Sequence, residues 1–595
     1  MSLLRRPTLF SLLIALLVAP LSAGPVAAGD ASPSRVPLRH ARPPLSFVPG
    51  DGLTDALKGG RIDEGTYALE RVRSLFRPRS VQARYGRVAP APTHDVTLLM
   101  RDLAIRVSML SGRERRSAER VLARPTDGSN PFRSAAYGSA KAKHKCSGRT
   151  PLCFFWAANG RHAPSSKDGN GNGTPDWVET TIDEFENVWD GEVTTLGFRA
   201  PKSDSRSQNH GPNGKTDIYL ADVGGEQVYG YCTTDDPHSA YLHSYRYPYA
   251  DVSAYCVVDE DFARSQFPAK DPRTNLQVTA AHEFFHAIQF AYDFYEDAWL
   301  MEGTAASMED EIYDDADDNY QYLAASPLAQ PNVPVDRSSN NFFKPSFLNR
   351  YGAWIFWRFM TEYLERSGAR DPSVIREVWK HADSSRRKKF GDQYSLQAAV
   401  AVTKAHGENF RQLFGDFGVL NYVSDSFYEE GAAYLQSLDA QCASPDAPCS
   451  VSEEGRPPFT ARFALGPNQT TGKQIDEIDH LATSYVRFAP NGASTTAVLD
   501  VKLNAPPPSQ GASSTLIVFD SSDVPTFYPF DLDDNGNATL TVPFGGASKA
   551  VLVMSNGSTK MRCGQQKPRV TTSCQGVPRH DNADYAYTAT LFDTP

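Results

Sequence analysis

From residue 65 to residue 124 apolar side chains recur every three or four positions, the spacing that lines one face of a helix. The rhythm predicts helices over Gly65–Phe76 and Val96–Arg124, parted by proline-rich joints at Arg77 to Pro78 and Ala89 to Pro92. Beyond Cys146 the pattern is mixed, with helical stretches and a few strands such as Thr216–Leu220. After Pro457 it shortens to alternation. Thr483–Phe488, Thr496–Leu503, Thr515–Phe519, Thr539–Phe544, Ala550–Met554 and Tyr585–Phe592 each read as a strand, with turn residues between them. Short strands at this spacing predict a C-terminal antiparallel β-sandwich. The fold class is α+β and multidomain: a helical segment over residues 29–145, a mixed α/β body over 146–455 and the sandwich over 456–595.

The first 28 residues stand apart from this scheme. Arg5 and Arg6 precede an apolar run from Leu9 to Val18, and small residues from Val26 to Ala28 offer a cleavage site, the layout of a secretory signal peptide. No later segment supplies about 18 consecutive apolar residues, so no membrane span is expected and the chain reads as secreted and extracellular. Eight cysteines suit that compartment. They fall into neighbours along the chain, and proximity suggests four local disulfides: Cys146 with Cys153, Cys232 with Cys256, Cys442 with Cys449, Cys563 with Cys574.

The net charge of −10 is unevenly spread. Residues 29–145 hold 22 Lys and Arg against 11 Asp and Glu, a surplus of +11, whereas residues 146–595 are net −23. A basic segment ahead of an acidic body predicts a pro-region that docks by complementary charge and inhibits its own chain, as in a zymogen. Its arginines are scattered among apolar helix positions with no aromatic-rich binding motif, which argues against nucleic acid as a partner.

The chemistry concentrates in Thr279–Gln289, which contains H-E-x-x-H at His282 to His286. On a helix, residues four apart share a face, so these two imidazoles can ligate one zinc ion, with Glu283 beside both as general base. Pro272 and Asn275 upstream are helix-start signals, and Ala280 and Ala281 favour helix. A catalytic zinc site takes three protein ligands and leaves a position open. Glu302, within Trp299–Ala306 and sixteen residues past His286, is the candidate third ligand. The longer pattern H-E-x-x-H-x-x-G-x-x-H fails, because Gln289 and Tyr292 stand where a glycine and a third histidine are needed.

Together, H-E-F-F-H at 282–286 and W-L-M-E-G-T-A at 299–305 resemble the gluzincin clan of zinc peptidases, in particular secreted bacterial metalloproteases with HEFFHAIQ and W-x-x-E-G-x-A motifs. The resemblance covers residues 146–400. It implies a zincin-like catalytic domain, zinc held by His282, His286 and Glu302, and Glu283 as base. It also implies an oxyanion donor at Tyr351, at the start of an apolar helix, beside the simpler reading of a packing tyrosine. Ala306 stands where thermolysin-like members carry an acid, four residues after the glutamate, so endo- and exopeptidase action both stay open. The expected function is hydrolysis of protein or peptide substrates by a zinc-activated water, Glu283 carrying the proton. Two other readings stand beside it: a degenerate zincin fold kept for binding or adhesion, and a zinc hydrolase of a non-peptide amide or ester.

A second metal motif precedes the first. Asp168 to Glu179 matches D-x-[DN]-x-[DN]-G-x5-E, with Asp168, Asn170, Asn172, Asp176 and Glu179 offering side-chain oxygens and Thr174 a carbonyl, a donor set for calcium. A helix over Trp177–Trp189 is expected after it. Asp531 to Asn537 lacks the closing glutamate and reads as a hairpin turn. The acidic run from Glu309 to Asp318 reads as a solvated helix face, and His210 and His381 as structural or surface residues.

Overall fold

The computed structural model describes residues 42–43, 45, 50–88, 96–127, 136–207, 209–339, 348–364, 372–444, 447, 449–565 and 570–593. The expected signal peptide and the joint from Ala89 to Pro92 lie outside them. Residues 40–595 form one compact unit.

The helical rhythm of the first third folds largely where predicted, as Glu64–Phe76 (α1), Val96–Ala104 (α2) and Gly112–Val121 (α3). The single helix expected over Val96–Arg124 is therefore broken. Gly112 takes φ +51°, a conformation foreign to a helix interior and cheap only for glycine. Helix α2 is buried at every position, and Val96, Leu98, Leu99 and Leu103 belong to the same apolar core as the central sheet.

That sheet has five strands, Ala142–Cys146 (β1), Leu152–Ala157 (β2), Thr216–Leu220 (β3), Gly230–Thr233 (β4) and Tyr255–Val258 (β5), in the order β1-β2-β3-β5-β4. The inner strands β2, β3 and β5 run parallel and are buried at every position, as strands covered on both faces must be. The edge strands β1 and β4 run antiparallel to their neighbours. Cys146 faces Cys153 across β1 and β2, and Cys232 faces Cys256 across β4 and β5, each at disulfide distance. The expected pairs Cys442 with Cys449 and Cys563 with Cys574 also lie at disulfide distance.

Asp176–Trp189 (α4) follows the calcium-type loop. Pro272–Phe290 (α5) carries the H-E-x-x-H motif and packs against α4, β4 and β5. Its start is set by Asp271, whose carboxylate accepts from the N–H groups of Arg273 and Thr274, with Pro272 at the first helical position. Val278 to Phe290 is buried throughout, so this helix has no polar stripe to announce it. Ala298–Ile312 (α6) packs on α5, and Trp354–Tyr363 (α7) packs on α6. Gly303 permits that last approach: a Cβ there would stand 2.8 Å from Trp357 Nε1.

Phe410–Tyr422 (α8) leads to the C-terminal sheets and packs on one of them. The strands are Ala461–Leu465 (β6), Gln474–Ile478 (β7), Ala482–Pro490 (β8), Val498–Asn504 (β9), Ala512–Phe519 (β10), Pro525–Pro529 (β11), Asn537–Pro543 (β12), Lys549–Asn556 (β13) and Ala583–Phe592 (β14). They form a four-stranded sheet β12-β9-β14-β7 and a five-stranded sheet β11-β10-β13-β8-β6. Leu499, Leu516, Leu552 and Leu591, from both sheets, meet in one core. Two expectations change. The pairing is not wholly antiparallel, because β6 runs parallel to β8. The Asp531 to Asn537 stretch is not a hairpin, because β11 and β12 lie in different sheets; Asp533 accepts from the N–H groups of Asn535 and Asn537 and turns the chain from one sheet to the other.

Candidate metal centre and active site

Helix periodicity puts His282 and His286 on one face of α5, and α6 brings Glu302 to them. His282 Nε2 lies 3.2 Å and His286 Nε2 3.5 Å from Glu302 Oε2. Ligand atoms at 2.0–2.1 Å from one tetrahedral ion stand about 3.3 Å apart, so these three are spaced for a shared metal. Glu302 Oε1 is sealed from solvent and has no hydrogen-bond partner among the described residues. A buried acceptor left without a donor is costly, and a cation between the three side chains satisfies it. Two imidazoles and one carboxylate fit zinc.

The other ring nitrogens are held from behind. His282 Nδ1 meets Glu309 Oε1 at 2.6 Å, and His286 Nδ1 meets Gln289 Oε1 at 2.7 Å. Gln289 Nε2 in turn donates to Met301 O and Thr304 Oγ1. Such partners fix the ring orientation and leave each Nε2 to face Glu302. Sequence reasoning missed both. Glu309 and Asp310, read as part of a solvated face, are 3% and 4% exposed, because this part of α6 is enclosed by its helical neighbours. Glu309, seven residues past Glu302, returns to the same helix face and so reaches His282 Nδ1.

Electrostatics follow from burial and proximity. Burial alone would depress the His282 imidazole, but its hydrogen bonds to Glu302 and Glu309 hold it well above the ordinary histidine range. Burial would raise Glu302, yet His286 and His282 pull it far below the usual carboxylate range. Glu309 is pushed up to about 7 by burial against the pull of His282. Glu192 is completely buried beyond the end of α4, its carboxyl driven well above the usual range by burial and eased only by His282. Nothing in the sequence pattern singled it out.

Glu283 is met from outside the helix pair. Thr97 on α2 donates to Glu283 Oε2 at 2.9 Å, and the same hydroxyl accepts from the N–H of Cys232 on β4, also at 2.9 Å. One turn on, Arg101 donates to Glu296 O and touches Met301 Sδ, each at 2.9 Å. A cleft of about 60 Å³ runs past the motif, lined by residues including Tyr229, Gly230, Thr279, His282, Glu283 and Tyr351. Gly230 keeps this passage open, since a Cβ there would stand 2.9 Å from Thr279 Cγ2 and 3.3 Å from Glu283 Cγ. Tyr351 is buried, stacked at 4.9 Å on Tyr322 and at 6.1 Å from the His282 ring.

The basic segment reaches deeper than its surface charge suggests. Arg124 is fully buried and pairs with Asp204, Asp217 and Asp235. Tyr137 donates to the carbonyls of Phe155 and Leu220, and Tyr255 to that of Leu122. His210 and His381 lie elsewhere, against Asn213 O and the Gln393 carboxamide.

In the loop ahead of α4, Asp168 accepts from the N–H groups of Asn172 and Gly173, and Gly169 N–H donates to Asp176. Glu179 reaches back from α4 to the carboxamides of Asn170 and Asn172, while Asn172 Oδ1 accepts from Thr174 N–H. The loop is thus tied together by hydrogen bonds among its candidate calcium ligands, with Lys145 Nζ 3.4 Å from Glu179.

No family model matches the chain, and no curated protein matches it. Among solved structures it is similar to the pre-peptidase C-terminal domain of a collagenase from Bacillus anthracis, at 20% identity and TM-score 0.13, over 22% of this chain and 96% of that one. It is similar also to a family GH115 4-O-methyl-α-glucuronidase at 10% identity and TM-score 0.13; the match spans 54% of this chain and 42% of that one.

Proposed function

We propose that this chain is a secreted zinc-dependent peptidase with a zincin-like catalytic domain, a C-terminal β-sandwich and a basic N-terminal segment that covers its active site. The observation that carries the reading is the convergence of His282 Nε2, His286 Nε2 and Glu302 Oε2, with Glu302 Oε1 buried and unpartnered among the described residues and Glu283 next to His282 on the same helix. Zinc held by these three residues supplies a Lewis acid that acidifies water and polarises a scissile carbonyl. Glu283 takes the proton from the attacking water and passes it to the leaving nitrogen. Tyr351, on the cleft wall near His282, offers its hydroxyl to the developing oxyanion. Glu309 and Gln289 keep the imidazoles aimed.

The test is direct. Purified protein is expected to hold about one zinc per chain by elemental analysis, and to cleave denatured casein after removal of the N-terminal cover in a manner abolished by chelator and restored by zinc. Glu302→Ala is expected to lose the metal outright. Glu309→Gln is expected to keep it, with affinity reduced roughly 10- to 100-fold. A full complement of zinc in Glu302→Ala sinks the ligand assignment. The Thr97 contact on Glu283 favours a second reading, a permanently closed module that binds rather than cuts, and the N-terminal cut described below separates the two.

For the loop from Asp168 to Glu179 the proposed ligand is calcium, as a structural clamp at the start of α4. Millimolar calcium added to chelator-treated protein is expected to raise the melting temperature by about 2 °C or more, and Asp168→Ala to shrink that rise. An unchanged wild-type melting temperature argues against the clamp.

A further inference from the structure

The carboxyl ends of the parallel strands β3 and β5 lie side by side, and acids follow both: Asp222 two residues past β3, Asp259 and Glu260 directly past β5. One carboxylate oxygen from each lies within 4.8 Å of the others. Asp259 is fully buried and Glu260 is 7% exposed. Asp259 Oδ2 accepts from the N–H groups of Val223 and Gly224 at 3.1 and 2.6 Å, and Oδ1 from that of Phe262 at 2.8 Å. Asp222 pairs with Arg161 and accepts from Gly225 N–H and Gln266 Nε2.

Two oxygens are left over. Glu260 Oε2 and Gln266 Oε1 are sealed from solvent and have no hydrogen-bond partner among the described residues. Gln266 Oε1 borders the same notch as Asp259 Oδ2, since a Cβ on Gly224 would stand 2.7 Å from each. The positive groups facing the cluster are Arg161 and, when protonated, His162, whose Nδ1 accepts from Asp222 N–H. Burial, and then the Asp259 charge, push the Glu260 carboxyl up to about 9. Burial, opposed by backbone N–H groups, takes Asp259 up to about 6.

We propose that Asp222, Asp259, Glu260 and Gln266 form a buried site for a hard divalent cation of calcium size. The donors are all oxygen, which selects calcium or magnesium over zinc or copper. Calcium takes oxygens at 2.3–2.6 Å, so ligands sharing its shell stand at most about 5 Å apart, and these three carboxylate oxygens lie within 4.8 Å of one another. Magnesium needs a tighter octahedron and keeps several waters, which so closed a site disfavours. The ion braces the catalytic cleft from behind, because Asp259 N–H donates to Tyr229 O at 3.0 Å and Tyr229 lines the cleft. The proposal stands apart from the peptidase reading, since binding is measured without turnover.

The experiment uses the full chain carrying Asp168→Ala, which takes the loop site out of the measurement, titrated with calcium by calorimetry at pH 7.5. One calcium per chain is expected. Adding Glu260→Gln should weaken it at least about tenfold, while Glu430→Gln, in a separate acidic group beside Asp310 and Asp314, leaves it unchanged. If Glu260→Gln does not fold, Asp222→Asn, on a partly exposed side chain, takes its place. No uptake by the Asp168→Ala chain, or uptake indifferent to both substitutions, overturns the proposal.

Discussion

Glu283→Gln, made in a chain whose N-terminal cover has been removed, is expected to keep its zinc and its melting temperature while hydrolysis falls roughly 10²- to 10⁴-fold, the range that one positioned proton carrier contributes. Glutamine preserves the shape of the side chain and removes its ability to take a proton. The metal should survive because His282, His286 and Glu302 approach one another without help from Glu283, and the outer ring nitrogens are tied to Glu309 and Gln289. Elemental analysis, thermal unfolding and steady-state kinetics on one preparation read all three quantities. Turnover within twofold of the parent removes Glu283 from the mechanism.

The second large effect is expected from cutting the chain between Ala104 and Leu122, for instance at a protease site placed in the exposed stretch from Ser111 to Arg116. Hydrolysis of a small peptide should rise roughly 10²-fold or more, because the cut frees α2 to leave and with it the Thr97 hydroxyl that occupies Glu283. No cysteine precedes Cys146, so no disulfide retains the released piece. The cut must fall before Arg124. Taking that residue away strands Asp204, Asp217 and Asp235 in the interior, and breaking a buried pair costs about 3–5 kcal/mol. A chain beginning at residue 146 is therefore expected to unfold far more easily than one beginning at residue 122. Contacts through Thr97 and Arg101 are enclosed, so inhibition should respond weakly to salt, in contrast to docking by exposed charge. Equal rates before and after the cut would make α2 an ordinary part of the domain and favour the non-catalytic reading.

What could be read from the sequence was whatever lies within one element or one regular spacing. The histidine pair, the helix around it, and six alternating strands in the C-terminal part all appear within a few residues of where periodicity puts them. Glu302 required only that a second helix pack on the first. The pieces that escaped depend on contacts between distant segments. Thr97 is 186 positions from Glu283, and nothing about a threonine in an apolar helix marks it as the partner of the proposed general base. Glu309 was hidden because a short acidic run looks the same whether it faces water or an imidazole. Charge counting suggested that the basic segment belongs with the acidic body, but not that one arginine carries three of the pairings. The turn from Asp533 to Gly536 was recognised as a turn, while its destination, the opposite sheet, is a property of the whole C-terminal part.

Both margins of the central sheet are riveted to the strand beside them, β1 through Cys146 and Cys153, β4 through Cys232 and Cys256. A naked strand margin ordinarily frays or recruits foreign chains. Here the margin that α2 conceals is fastened in register. Were α2 released as the proposed cut predicts, the flank would present a stiff rail rather than a loose hem, and the spacing between that rail and the histidine pair would carry over unchanged.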